Sequence, residues 1–297
     1  MVEKTPTQKA PLSVLQLFCL IASIWLITTL LTRNAPEWDN MEELVWASSF
    51  EWGYQKHPPL PSWILYPCTL ILGKVIWLPF TLGFLSVLVS QLVVYQLFKK
   101  ICLESNTALP SYAPLVLTIC SSLNIYYTTR GGDYNHNSMQ LWSIACMFYF
   151  YYSAWLVERK FKPTSFDSPY YFYWILLGIF TALAILSKYS VVVQIIVLFV
   201  HFIYAKRYKE RTTWLGLVLS IGICLLLISP HLIWLWHQTL QSQGPIYYAR
   251  NSLDESVSYL TNIFQLFNGF LLTQCFRIAP IILFIYLIKK FTLKPKY

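Results

Sequence analysis

Charge is scarce in this sequence. The 297 residues contain 13 Asp and Glu, charged types together make up 12%, and hydrophobic types make up 56%. So little charge spread over long uncharged runs argues against a water-solvated globular domain and for lipid as the main solvent. The seven cysteines are odd in number, fall mostly inside apolar runs and show no metal-type pairing, so they read as small buried hydrophobes. Glycine-rich phosphate loops, dinucleotide fingerprints and nucleophilic Ser or Cys elbows are all absent, which excludes a nucleotide-sugar or ATP site of those kinds. Internal repeats and low-complexity linkers are missing too, so a single membrane domain over 1–297 is expected. No cleavable signal peptide is expected, because the first apolar run is too long for an h-region.

Several apolar runs of about twenty residues remain, each long enough to cross a ~30 Å hydrocarbon core. Expected spans are 11–32, 78–98, 109–127, 140–157, 171–186, 191–204, 214–236 and 271–288, an all-α polytopic bundle of about eight transmembrane helices. Residues 33–77 form a first loop with interfacial helices, one of them over 59–72. Fifteen of the 22 Lys and Arg fall in the N-terminal tail and in 99–100, 159–162, 206–211 and 289–296, all on one side of this topology. The positive-inside rule makes that side cytoplasmic, with both termini there and the loops 33–60, 128–138 and 237–256 outside. A formal net charge of +9 is then a topology signal, and no nucleic-acid partner is needed.

The polar exception is 38–63, WDNMEELVWASSFEWGYQKHPPLPSW, which gathers Asp39, Glu42, Glu43, Glu51, Lys56 and His57 into one extracytoplasmic loop. The spacing of Met41, Leu44, Val45, Ser48 and Trp52 predicts a short helix over 40–52 stopped at Gly53. Asp39 with Glu42 fits a capping box, yet the face that carries the carboxylates continues through Trp46 and Phe50, which a solvated cap does not need. Pro58 and Pro59 hold Lys56 and His57 in extended backbone, and rigid cations there suit a phosphate. Lys188 lies between two apolar segments, where an unpaired charge is costly; it is either a functional group or a snorkelling lysine. Asp133, Asn135, His136 and Asn137 precede the fourth span and read as site residues or as plain loop polarity. His231 and Trp234 read as a ligand-lining wall or as interfacial anchors. His57 with Asp39 or Glu42 could hold a divalent metal ion, although the spacing matches no dedicated metal motif. No other cofactor is indicated.

Five stretches, in order, carry a resemblance: Asp39 with Glu42 after the first span, GYQKHPPL from Gly53 to Leu60, YNHNS, SKYS and SPHLIW. With them the chain resembles the polyprenyl-phosphate-sugar-dependent glycosyltransferases of GT-C fold, the group of protein O-mannosyltransferases, lipid A aminoarabinose transferases and rhizobial galacturonosyltransferases. The resemblance implies a short member of that group in a bacterial inner membrane, moving a sugar from a polyprenyl-phosphate donor to an extracytoplasmic acceptor such as lipid A, another glycan or a protein, by inverting single displacement. It implies that Asp39, with Glu42, does the acid–base work and that Lys56, His57, Lys188 and Tyr189 approach the donor phosphate. Trp46, Tyr54, Arg130, Asp133, Asn135, His136, His231 and Trp234 are substrate-lining candidates, and Trp46, Trp63 and Trp234 are expected along the lipid tail. Lys56 stands where the aminoarabinose transferases have an acidic residue. A flippase for a lipid-linked sugar and a noncatalytic relic are the competing classes; the first lacks repeat symmetry.

Overall fold

The computed structural model describes residues 13–104, 109–161, 169–251, 264–265 and 267–272. Among them every regular element is helical: α1 (Val14–Thr32), α2 (Trp38–Trp46), α3 (Leu60–Leu72), α4 (Trp77–Glu104), α5 (Ala113–Ser121), α6 (His136–Phe161), α7 (Pro169–Ser187), α8 (Val192–Tyr204), α9 (Arg211–Leu240) and α10 (Gly244–Asn251), with short 3₁₀ turns at Ile125–Tyr127, Tyr189–Val191 and Arg207–Lys209.

Among the described residues four helices are both long and apolar enough to cross a membrane: α1, α4, α7 from Tyr170, and α9. They correspond to the expected spans 11–32, 78–98, 171–186 and 214–236. Within the expected span 109–127, α5 has nine residues, about 14 Å at 1.5 Å per residue, and the chain then turns through Asn124, whose side chain accepts the Tyr126 amide. Over 191–204 the helix α8 has 13 residues, about 20 Å, short of a ~30 Å core. Helix α6 has the length, at 26 residues, but its polar first turn and its Glu158-Arg159-Lys160 end make it more polar than the four. The expected span 271–288 lies outside the described residues apart from 271–272.

Long helices pack in series. α4 lies on α6, α6 on α7 and α7 on α9, while α1 and α5 lean on α4. One buried cluster, including Leu65, Tyr134, Met139, Leu186 and Ile228, ties α3 to α6, α7 and α9. A second, around Met147, Tyr151, Tyr170 and Trp174, fills the opposite end of the α6–α7 pair. Basic segments collect at that second end: Lys160 bonds Glu104 at 2.5 Å, and Arg207, 1% exposed, bonds Glu158 at 2.6 Å. All of α2, the 50–59 loop, the 128–135 loop and Lys188 sit at the other end.

Local sequence explains the joints that hold that end. Pro61 sits in the first turn of α3, where its missing N–H costs nothing. Gly83 of α4 lets the 128–135 loop approach, because a Cβ there would stand 2.7 Å from the Gly131 carbonyl oxygen. In α9, Pro230 leaves the Leu226 carbonyl without its helical donor, and the Ser229 hydroxyl donates to it at 2.8 Å.

Candidate active site

Helix α2 is shorter than the 40–52 expected, and Asp39 is not its cap. The N-cap is Glu37, which makes no side-chain capping bond, and the helix ends at Trp46 rather than at Gly53. Asp39 therefore sits inside the first turn, where the helix dipole favours a carboxylate. Its Oδ2 accepts from Asn135 Nδ2 at 2.6 Å. The other end of that amide is equally committed: Asn135 Oδ1 accepts the amides of Asn137 (2.7 Å) and Ser138 (3.1 Å), capping α6. Capping α6 thus fixes the oxygen of Asn135 and leaves its nitrogen aimed at Asp39, which joins two elements 96 residues apart.

Asn40 performs the same service on the inward face of α2. It is fully buried, donates to the Gly132 carbonyl at 3.2 Å and accepts the Tyr134 amide at 2.7 Å. Tyr134 in turn donates its hydroxyl to the Pro61 carbonyl at 2.7 Å, so α2, α3 and the 128–135 loop are cross-linked beneath Asp39. Glu43, one turn below Asp39, is 2% exposed and accepts from Ser62 Oγ at 2.7 Å. Burial without a cation, with Glu42 and Asp39 close by, pushes its carboxyl up to about 8.

Two lysines and two histidines gather beside these carboxylates. Lys56 Nζ is 2.6 Å from Glu42 Oε1, a bond that raises the lysine's pKa against the opposing effect of burial. Lys188 Nζ donates to Asn137 Oδ1 at 2.8 Å; burial lowers its pKa and the Asp39 charge partly restores it. Between the lysines, the rings of His57 and His136 lie 3.8 Å apart, too close for both to carry charge cheaply. His57 is held below its ordinary pKa first by burial, with Lys188 and Lys56 adding to the effect and Glu42 opposing it. Both lysines thus act on one imidazole, which brings residues 132 positions apart in sequence to one place.

Residues 49–59 lack regular structure, and side chains satisfy three of their carbonyls. Tyr54 donates to Ser49 O (2.8 Å), Trp63 to Glu51 O (2.7 Å) and His231 Nδ1 to Trp52 O (2.6 Å). A carbonyl only accepts, so Nδ1 of His231 carries the proton and Nε2 receives the Tyr189 hydroxyl at 2.9 Å. His231 is sandwiched between Tyr189 and Trp234, and Trp234 packs on Gly53, where a Cβ would stand 2.3 Å from the indole. Tyr189, His231 and Trp234 therefore clamp the loop to α9.

The other candidates divide. Trp46 stacks on Tyr54 at 5.6 Å and meets His57 edge-on at 6.1 Å. Arg130 is bonded to the buried Asp133 at 2.6 Å, a pair that braces its own loop. Among the described residues no group of three His, Cys, Asp or Glu could hold a metal ion, and Glu42 is engaged with Lys56. An apolar cavity of about 420 Å³ lies among α6, α7, α8 and α9, and neither Trp46 nor Trp63 lines it.

Residues 56–234 match the family model described as dolichyl-phosphate-mannose-protein mannosyltransferase, more than half of the chain. The chain belongs to this family. The match runs from Lys56 to Trp234 and so includes His57, the 128–138 loop, Lys188, Tyr189 and His231, all described above at one end of the bundle. Comparison with curated proteins and with solved structures gives no match. Asn40 was not among the site residues expected from the sequence. A usable signal for Asn40 was its place on the inward stripe of α2 with Glu43, Leu44 and Ala47, a polar residue on a face that buries its neighbours.

Proposed function

We propose that this chain is a membrane glycosyltransferase that moves a sugar from a polyprenyl-phosphate donor to an extracytoplasmic acceptor, with inversion in a single displacement. The observation that carries the reading is the Asp39 carboxylate, oriented by Asn135 at 2.6 Å, at the same polar end as Lys188. The acceptor O–H gives its proton to Asp39 as the acceptor oxygen bonds to the anomeric carbon. The bond from that carbon to the phosphate oxygen breaks, and its electron pair leaves with the polyprenyl phosphate. That leaving group carries roughly two negative charges, which preorganised cations stabilise.

Lys188 is the better placed cation. Asp39 is the charge that acts on it among the described residues and its bond is to a neutral amide, whereas Lys56 would have to leave an ion pair with Glu42. The 420 Å³ apolar cavity among α6, α7, α8 and α9 is lined at one end by Ile185 and Ile228, each three residues before Lys188 and His231, and suits the prenyl chain. Membership of the family supports the reaction class. The orientation that puts this end outside the cytoplasm rests on the Lys and Arg distribution.

The test is release of polyprenyl phosphate from a labelled lipid-linked mannose by purified, reconstituted protein. Wild type is expected to release it in an acceptor-dependent way, and Asp39→Asn to lower turnover by roughly 10² to 10⁴ while donor binding persists. Wild-type turnover in the Asn variant would remove Asp39 from the chemistry.

A further inference from the structure

The start of α6 grips Lys188 at two places. Asn137 Oδ1 accepts from the Lys188 ammonium at 2.8 Å, while Gln140 Nε2 donates to the Lys188 carbonyl at 3.3 Å and to Ser190 Oγ at 3.2 Å. Asn137 and Gln140 are three residues apart and so share a face of the helix. Lys188 itself lies between α7 and the next 3₁₀ turn in extended backbone (φ −162°, ψ 135°), and its amide donates to the Ala184 carbonyl at 3.1 Å. Its backbone and its ammonium are thus fixed separately. An unbroken run of bonds also ties the ammonium to the carboxylate. Asp39 accepts from Asn135 at 2.6 Å, Asn135 Oδ1 accepts the Asn137 amide at 2.7 Å, and Asn137 Oδ1 accepts from Lys188.

We infer that Asn137 is a positioning residue for the transfer reaction: it holds the Lys188 ammonium at a set place relative to Asp39 without cancelling its charge. The inference rests on the glycosyl-transfer reading above. Three properties of the amide carry it. The amide is neutral, so a cation bonded to it keeps its attraction for a phosphate, which a carboxylate at the same position would remove. It engages one of the three ammonium N–H groups, and among the described residues Lys188 makes no other side-chain hydrogen bond or ion pair, which leaves two donors for a ligand. It also keeps lysine and base apart. The Asp39 charge acts on Lys188, yet the carboxylate is bonded to Asn135 and the ammonium to Asn137, and the two form no ion pair. A carboxylate closed on a lysine would be a poorer proton acceptor, because the nearby cation favours its ionised form.

The experiment uses the full chain in phosphatidylcholine vesicles with two readouts: release of polyprenyl phosphate from labelled lipid-linked mannose, and equilibrium binding of farnesyl phosphate, a short prenyl monophosphate. Asn137→Asp is the decisive variant. It is close to isosteric, keeps an acceptor oxygen and suits the first turn of a helix, so a residue that only builds structure would tolerate it. Here it instead pairs with Lys188 and draws the cation away from the phosphate. Expected are an unchanged melting temperature and farnesyl phosphate affinity lowered at least roughly tenfold, the scale of one charge-assisted hydrogen bond. The kcat should fall by a similar factor with a smaller change in KM, because the donor diester carries one negative charge and the leaving monoester roughly two. Asn137→Ala should weaken farnesyl phosphate binding too, and that loss should disappear in a Lys188→Met background, because the amide acts through the ammonium. Wild-type binding and kcat in Asn137→Asp, or an Asn137→Ala loss that persists undiminished in Lys188→Met, would overturn the inference and leave glycosyl transfer standing. No release of polyprenyl phosphate by the wild type with any acceptor would instead remove the transfer reading, and this inference with it.

Discussion

Asn135 carries more of the site than any other neutral residue, because one amide caps a helix with its oxygen and orients a carboxylate with its nitrogen. Asn135→Asp separates the two jobs. Asp caps as well as Asn, so α6 should stay intact and thermal stability should change little. Without the Nδ2 donor, and with a second carboxylate facing Asp39, the base is disoriented and harder to ionise, so turnover should fall at least roughly 10²-fold. Circular dichroism and the polyprenyl-phosphate assay read the two effects apart. Glu43 sets a pH dependence with a definite sign. Its folded carboxyl is raised from 4.5 to about 8, so the stability it contributes is fully present below about 4.5 and is lost as the pH rises through about 8. Wild-type protein should therefore lose melting temperature between pH 5 and pH 9 relative to Glu43→Gln, which keeps a partner for Ser62 and cannot ionise. Parallel profiles for the two proteins would mean that Glu43 is ionised in the fold.

At the scale of elements, the 50–59 loop is positioned by its contacts with α3 and α9 as well as by its own bonds. Gly53 admits the Trp234 indole, and His231 holds the Trp52 carbonyl on behalf of α9. Gly53→Ala should lift the loop off α9, moving Lys56 and His57 and lowering donor use, while Trp234→Ala should lose less. If close approach is the reason, Gly53→Ala with Trp234→Ala should recover activity relative to Gly53→Ala alone, a coupling that a double-mutant cycle measures. Additive losses would place the role of Gly53 in its backbone instead. The shortened α2 follows the same logic: Ser48 and Trp52 fit helical spacing, but the chain beyond Trp46 is drawn off by bonds to Trp63 of α3 and His231 of α9.

For the molecule as a whole, the arrangement is polar at both ends with different chemistry at each. Carboxylates, histidines and two lysines lie at one, and the basic segments with the buried Arg207–Glu158 pair lie at the other. Lys99, Lys100, Arg159, Lys160 and the 206–211 run share that second end, which is the pattern expected of a cytoplasmic face. A cysteine at Ser48, exposed on the loop after α2, should react with an impermeant maleimide added to intact cells. Labelling only after permeabilisation would invert the topology and put the site inside.

Run length and the placement of Lys and Arg were enough to read a helical membrane protein with a polar loop after its first span, because transfer of apolar side chains into lipid depends on composition more than on partners. GYQKHPPL and the later stretches were enough to read the family. Helix ends, and the partners of polar residues, were not legible in the same way. Asp39 and Glu42 satisfy the capping pattern locally, and only the approach of the 128–135 loop, admitted by Gly83, makes Asp39 a partner of Asn135 instead. Residues 109–127 are apolar enough to suggest a span, yet α5 stops after nine residues and the chain turns at Asn124. Lys188 looked like an expensive charge because its partners, Asn137 and Asp39, lie 51 and 149 residues away. Such pairings lower the energy of a polar group only once the helices have packed, so the sequence determined which groups needed partners and the tertiary structure decided which partners they received.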